Sequence, residues 1–502
     1  MKLRNLLMIA VLITFFIGLS YTAPSPKSTL DTSIQQLAND PSLKAGQLGV
    51  CVIDVKSGEV LSDYNSAKAM IPASTMKTVT TASALAILGE DYRFQTTLEY
   101  DGNISNGTLY GNVYIKGTGD PMLASDEVEE DESPKVTKMN TLLSTFANEL
   151  KKAGIIKIEG KIIGDDTYFN STQATPSSWQ WNDIGNYYGA GATALNFHEN
   201  LYYLYFNRST TVGASTSVKR IDPQLPYITF QNEVTVGKKG SGDNAYIFGA
   251  PNTFNRTVRG TIPPGNTEFK VKGSIPNPAF FAAYALMSKL EEHGITTLKT
   301  ATTQQEEVRV GSASANNRTV LYTYSSPMLK DICKRANHKS INLYCEALLK
   351  VIGKKVKNKG TTEDGVEAVL EFWENRGFDT ETFFMEDGSG LSARNAVSAF
   401  SMAHLLSKIG RDDNLFPTFY NTLPIGGKEG TLKSLFKNNK ALGSRISAKS
   451  GSINRVRAYC GYAKTSSGKV VSFSMIANNF TGSSGHIRAK MEAIMLTIAN
   501  LP

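Results

Sequence analysis

Residues 72–89 read PASTMKTVTTASALAILG, opening at Pro72 and closing at Gly89. From Ser74 onward, Met76, Val79, Ala82, Leu85, Ala86, Ile87 and Leu88 cover nearly the whole circumference of a helix, and Gly89 ends it. A helix apolar on every side is a buried one. Ser74 and Lys77, three positions apart, fall on one face a turn apart, which is hydrogen-bonding range. A free Lys, with a pKa of about 10.4, is a poor base at neutral pH, but burial disfavours its ammonium form and lowers that value. A desolvated Lys beside a Ser is a nucleophile pair. The tetrapeptide alone also fits an N-capping Ser followed by a solvated Lys, and residues 434–437 and 466–469 share its spacing.

Working outward, Leu48, Val50, Val52 and Val55 predict a strand, Lys56-Ser57-Gly58 a turn, and Val60 and Leu61 an antiparallel return. On the C-terminal side, helical patterns cover 328–352, 362–376 and 398–409. Strands follow at 445–449, 456–463 and 470–477, and a last helix at 486–499. The turns between these strands are short, so they should be antiparallel neighbours. Two segments there can join Ser74 and Lys77. Ser340-Ile341-Asn342, in a helical region, supplies a hydroxyl and an amide; Lys449-Ser450-Gly451, closing a strand, supplies a cation, a hydroxyl and a close backbone approach. Similar triplets recur at 314–316, 452–454 and 56–58, so order and setting select the set: buried helix start, helical segment, then strand end before a hairpin.

The middle of the chain, 92–309, has a different texture, with short strands, Asn-Gly turns and many Thr, Tyr and Gly. A strand ending in Lys116-Gly117 precedes Pro121 and a helix closing near Leu150 and Gly154. A second, ending in Lys272-Gly273, precedes Pro278 and a helix closing near Leu290 and Gly294. Two strand-to-helix units paired in one domain are the expectation, although any helix can stop at a left-handed Gly. Between them, 198–266 is strand-rich enough for a β module. The acidic run 126–132 reads as a solvated loop.

Several classes of chemistry fall away. The 502 residues correspond to roughly three domains, and 41% apolar with 20% charged residues is an ordinary globular composition. The net charge of +8 is scattered, which favours weak attraction to envelope polyanions and argues against nucleic-acid binding. His198, His293, His338, His404 and His486 show no metal-ligand spacing and there is no Cys-x-x-Cys, so no metal or other cofactor is expected. Residues 189–194 mimic a dinucleotide fingerprint without a preceding parallel strand. The Gly-x-Ser-x-Gly elbow of His-assisted serine hydrolases is missing.

Residues 1–23 read as an export signal: Lys2 and Arg4, an apolar stretch 6–19, then small residues at Ser20 and Ala23. As a helix that stretch rises about 21 Å, short of a roughly 30 Å hydrocarbon core. The expected location is outside the cytoplasm, in the periplasm or cell envelope. Cys51, Cys333, Cys345 and Cys460 are too few and too dispersed for a disulfide scaffold; they read as buried thiols, with one bridge as the alternative.

The ordered trio resembles the low-molecular-mass penicillin-binding proteins of D-alanyl-D-alanine carboxypeptidase and endopeptidase type. The 266 positions from 74 to 340 leave room for an inserted domain pair of about 200 residues, the mark of the penicillin-binding protein 4 group, peptidase family S13. Residues 117–121, Gly164-Asp165, 181–190, 387–392 and 430–432 are also similar to that group, over roughly 45–500.

The resemblance implies an α+β multidomain protein. A transpeptidase-like domain with an antiparallel sheet flanked by helices would comprise 24–91 and 318–502. An inserted domain would comprise 92–197 and 267–317, and a nested β-rich domain 198–266. It implies a serine DD-peptidase acting on D-Ala-D-Ala termini or cross-links of peptidoglycan, with β-lactams as covalent inhibitors. By resemblance Ser74 is the nucleophile, Lys77 its base and Ser340 the proton carrier to the leaving amine. Asn342, Lys449, Ser450 and Asp165 would contact substrate, with the backbone N–H groups of Ser74 and Ser452 as oxyanion hole. Three departures stand out: Ile341 where Asp is usual, Ser450 for Thr, and Ala393 followed by Arg394 where the group often has an Arg that contacts the stem peptide with Asp165. A β-lactamase, or a non-catalytic wall-binding protein, are the competing readings.

Overall fold

The computed structural model describes residues 26–129, 134–312 and 317–502; the expected export signal and part of the acidic run lie outside them. No helix of the described residues is long and apolar enough to cross a membrane.

The two ends of the chain build one unit. Its five-stranded antiparallel sheet runs Ile446–Ile453, Val456–Lys464, Val470–Asn478, Gln47–Asp54, Val60–Tyr64. The strand Gln47–Asp54 is buried on both faces, and its alternate side chains divide between two cores. Val50 and Val52 pack with Leu30, Ile34, Ile494 and Ile498 of the helices Pro26–Ala38 and Ser484–Ala499. Cys51 and Ile53 face Ala399 and Ala403 of the helix Ala399–Gly410. Behind that face lies the helix Met76–Leu88, with every side chain from Met76 to Leu85 buried as its apolar circumference predicts. It packs on the helices Leu329–Lys339 and Asn342–Lys357.

The predicted helical stretch 328–352 is thus two helices. The break is a backbone event: Ser340 caps the first helix at φ +58°, a left-handed conformation uncommon outside Gly, and Ile341 is extended. Apolar periodicity continues through the break, which is why the pattern reads as one helix.

Between Gln95 and Ser325 the chain forms a mixed five-stranded sheet, in the order Ala301–Thr303, Ile162–Asp165, Val113–Lys116, Gln95–Tyr100, Thr319–Ser325. The strands Leu201–Asn207, Ser217–Asp222 and Phe269–Ser274 form a second sheet, and Thr229–Val236, Asn244–Phe248 and Asn255–Ile262 a third. Phe269–Ser274 carries this β-rich region past residue 266. The expected pairing of two strand-to-helix units needs correction. Val113–Lys116 and Phe269–Ser274 lie in different sheets, whereas the helices Met139–Lys152 and Pro278–Glu292 pack together, each followed by a left-handed Gly, Gly154 or Gly294. The strands after them, Ile162–Asp165 and Ala301–Thr303, pair in parallel. The echo is helix-to-strand.

Buried polar contacts tie this region to the helices behind the first sheet. Glu199 accepts from Tyr344 Oη at 2.7 Å and from Arg335 at 3.3 Å. Lys350, fully buried, donates to the carbonyls of Ala174 and Ala192 at 3.2 and 2.8 Å. In the acidic run, Asp126 is exposed, but Glu127 pairs with Lys272 at 2.7 Å. All four cysteines are buried with free thiols.

Candidate active site

Ser74 sits in a single 3-10 turn, Ala73–Thr75, just before the buried helix. Ala73 holds φ +47°, a conformation that costs a non-Gly residue energy and must be imposed by its surroundings. Two glycines let those surroundings close in. A Cβ on Gly390 would lie 1.9 Å from the Ala73 carbonyl oxygen, and one on Gly451 would lie 2.6 Å from that of Pro72 and 3.1 Å from Ser74 N. The edge strand Ile446–Ile453 therefore lies directly against the turn that carries Ser74. Gly390 also has φ +78°, so Gly390→Ala is expected to cost about 2 kcal/mol or more, read as a lower midpoint in chemical denaturation.

Lys77 has no solvent exposure. Its Nζ lies 3.0 Å from Ser74 Oγ, 2.6 Å from Asn342 Oδ1 and 2.6 Å from the Ser389 carbonyl oxygen. Burial drives its pKa below the ordinary lysine value; the nearby Cys345, Asp387 and Glu346 oppose that shift without reversing it. As the ammonium, Nζ has three N–H groups and donates one to each of these oxygens, Ser74 Oγ included. The neutral form has two N–H groups and one lone pair; Asn342 Oδ1 and the Ser389 carbonyl can only accept, so they would take both N–H groups and leave the lone pair for the Ser74 hydroxyl.

Lys449, also without exposure, places Nζ 2.9 Å from Ser340 Oγ and 2.7 Å from the Ser450 carbonyl oxygen. Burial holds its pKa well below the ordinary value, and Lys77, whenever it carries a proton, acts in the same direction. Ser340 and Asn342 face the site from either side of the helix break, and Asn342 Nδ2 donates to the Tyr188 carbonyl at 2.7 Å. Ile341, where the related pattern has Asp, packs on the hydrophobic core. Ser450 Oγ donates to Thr431 Oγ1 at 2.8 Å. Ser74, Ser340, Ser450 and Ser452 all line one cleft of about 270 Å³.

Asp165 is not brought to that cleft. Its buried carboxylate accepts from Arg318 at 2.7 Å and from Thr167 Oγ1 at 2.6 Å, within the inserted sheet. Arg394 is exposed, 3.6 Å from Glu386.

Two supporting carboxylates complete the site. Asp387 accepts from Trp179 Nε1 at 2.8 Å, Gly390 N at 2.7 Å, Ser392 N at 2.6 Å and Asn395 Nδ2 at 2.9 Å, which fixes the loop carrying the Ser389 carbonyl. The sequence reading missed Glu346. It accepts from Ser389 N at 2.8 Å, and burial pushes its pKa up to about 8. The available signal was its position four residues after Asn342, which puts both on one helix face. Among the described residues no group of three or more His, Cys, Asp or Glu could hold a metal ion.

This arrangement resembles known proteins along nearly its whole length. The model of the D-Ala-D-Ala carboxypeptidase 3 (S13) family matches residues 30–501. A D-alanyl-D-alanine carboxypeptidase of an Actinomadura species is 27% identical over 464 residues, spanning 90% of this chain and 81% of the relative. D-alanyl-D-alanine carboxypeptidase DacB of Haemophilus influenzae is 24% identical, spanning 95% of this chain and 93% of the relative. The crystal structure of penicillin binding protein 4 from Haemophilus influenzae superposes with a TM-score of 0.77 at 24% identity, covering 93% of this chain and 98% of that one. A structure of that protein complexed with a β-lactam gives 0.71 at 22% identity, covering 94% and 98%. The two structures share this chain's multidomain fold.

Proposed function

The chain belongs to the D-Ala-D-Ala carboxypeptidase 3 (S13) family, and from that premise we propose that it is a serine DD-peptidase of peptidoglycan working through a Ser74 acyl-enzyme. The observation that carries this reading is the buried Lys77 Nζ, 3.0 Å from Ser74 Oγ and flanked by two oxygens that can only accept, so that in its neutral form the amine turns its lone pair to the Ser74 hydroxyl. Lys77 takes the Ser74 proton as Oγ attacks the carbonyl of the penultimate D-Ala. The backbone N–H groups of Ser74 and Ser452 receive the developing oxyanion. The proton that Lys77 took passes by way of Ser340, bonded to Lys449, to the departing amine, which returns Lys77 to its neutral form. Ser450 binds the terminal carboxylate and Asn342 the substrate amide. Water, activated by the same amine, then releases the acyl group. We assign Asp165, tied to Arg318, to the inserted sheet and not to substrate.

The reading extends to location and inhibitors: an exported protein of the periplasm or cell envelope, acylated by β-lactams at Ser74. The test is incubation with a labelled penicillin and with a peptide ending in D-Ala-D-Ala. The expected results are a penicilloyl adduct mapped to the Ser74 peptide that persists for many minutes, and release of D-Ala. Rapid loss of the adduct with free penicilloate would indicate a β-lactamase; wall binding with neither adduct nor D-Ala release would indicate a non-catalytic protein.

A further inference from the structure

The helix Asn342–Lys357 carries Asn342, Glu346 and Lys350 at intervals of four, which puts them on one face, and all three are buried. Asn342 reaches Lys77, and Lys350 spends its N–H groups on the carbonyls of Gln173, Ala174 and Ala192 in the inserted region. Glu346, between them, turns to the loop 387–392. It accepts from Ser389 N at 2.8 Å and from Gly388 N at 3.3 Å. The Ser389 carbonyl in turn accepts from Lys77 Nζ at 2.6 Å. One residue is therefore held by Glu346 at its N–H and by Lys77 at its carbonyl.

The loop fits this position closely. A Cβ on Gly388 would lie 2.6 Å from the Cys345 carbonyl oxygen, and Thr80 Oγ1 donates to the Gly388 carbonyl at 2.7 Å. Asp387 braces the same loop through Gly390 N, Ser392 N and Asn395 Nδ2, all beyond Ser389 in the chain. The titratable groups facing Glu346 and Lys77 are Asp387 on the loop, Cys345 and Lys350 on the same helix and Lys449 on the edge strand, with Glu363 reaching Lys350 from the next helix. Burial pushes Glu346 up to about 8; Asp387 adds to that shift and Lys77 opposes it. In return, a Glu346 carboxylate favours the ammonium form of Lys77. The two groups titrate together, and Lys77 gives up its proton more readily when Glu346 is uncharged.

Resting on the assignment of Lys77 as the base for Ser74, we propose that Glu346 is a positioning residue of this site: it holds the Ser389 carbonyl against the Lys77 amine, and its charge sets the pH above which that amine can take the Ser74 proton.

The test is the rate at which a labelled penicillin acylates Ser74, followed across pH for the intact protein, Glu346→Gln and Glu346→Asp. Gln keeps the size and can accept one of the two backbone N–H groups, but it carries no charge and turns its own NH2 to the other. In Glu346→Gln the plateau rate should fall about 3- to 30-fold as the Ser389 carbonyl loses its hold. The acidic limb should move to lower pH, because the charge that favoured the ammonium is gone; relative to the plateau, the rate at the foot of the limb should rise about 3- to 10-fold. Glu346→Asp keeps a charge and withdraws its reach, so it should lower the plateau and leave the limb near its place. A purely structural role would lower the Glu346→Gln plateau with the limb unmoved, and that result overturns the proposal. So does a Glu346→Gln protein that matches the intact one at every pH. Should Glu346→Gln fail to fold, NMR of the intact protein with glutamate labelled at the δ-carbon decides: one carboxyl should titrate at about 8 and shift when penicillin occupies Ser74, and carboxyls confined to the ordinary range would overturn the proposal. Acylation at Ser74 with an unmoved limb would leave the nucleophile assignment standing; an intact protein that takes no penicillin would remove both.

Discussion

Ser74→Ala is expected to abolish penicillin labelling and to lower D-Ala release by about 10⁴-fold or more, the scale seen when a serine enzyme loses its nucleophile. The expectation follows from the wiring of Lys77. Among the described residues Ser74 Oγ is the one hydroxyl within hydrogen-bonding distance of that amine, so no neighbouring Ser can inherit the proton transfer. Ser340 is bonded to Lys449 instead, and Ser389 reaches Lys77 through its carbonyl. The substitution leaves Asn342 and the Ser389 carbonyl in place, and the loss of one partly exposed hydroxyl should change stability by about 1 kcal/mol or less. Equal denaturation midpoints with no label would mark the effect as chemical. Full labelling of the variant would reassign the nucleophile.

Lys77→Met should lower the acylation rate by about 10²- to 10⁴-fold, the ordinary contribution of a general base. Lys77→Arg should not rescue it, because a guanidinium stays protonated at any working pH. The pH dependence has a definite sign. Burial lowers the Lys77 pKa in the folded protein, so the neutral, reactive fraction grows as pH rises through that lowered value. Acylation should climb and level off below the ordinary lysine range. Stability carries the same signature. Between the lowered folded value and the unfolded value of 10.5 the unfolded chain binds the proton and the folded protein does not, so Lys77 makes the native state gain stability with rising pH across that window. Lys77→Met should remove that contribution to the slope, which is measurable as denaturation midpoints taken across the alkaline range.

The parts of this molecule readable from sequence are those set by side-chain pattern over short distances. The apolar circumference of the helix Met76–Leu88, the strands Val456–Lys464 and Val470–Asn478 with their short turn, and the first hairpin all follow from local periodicity. Central pairing of Gln47–Asp54 with Val470–Asn478 does not, because no local signal sets a register between residues more than 400 apart. The break at Ser340 hinges on one left-handed residue inside an unbroken apolar pattern.

Among site residues, Ser74, Lys77, Ser340, Asn342, Lys449, Ser450 and Ser452 were legible because spacing and order mark them, and the fold gathers them at one cleft or in direct contact with it. Asp165 was drawn from the family pattern alone, and its partner Arg318 is 153 residues away, beyond what a turn motif can reveal.

Acylation of Ser74 requires an uncharged Lys77 amine, and the most direct measurement is an NMR titration of the lysine side chains labelled at the ε-carbon, with Lys77→Arg identifying the resonance. The Lys77 signal should titrate clearly below the 10.5 of a free lysine and move when Ser74 is acylated. Titration at the ordinary value, with no response to penicillin, would contradict the mechanism at its foundation.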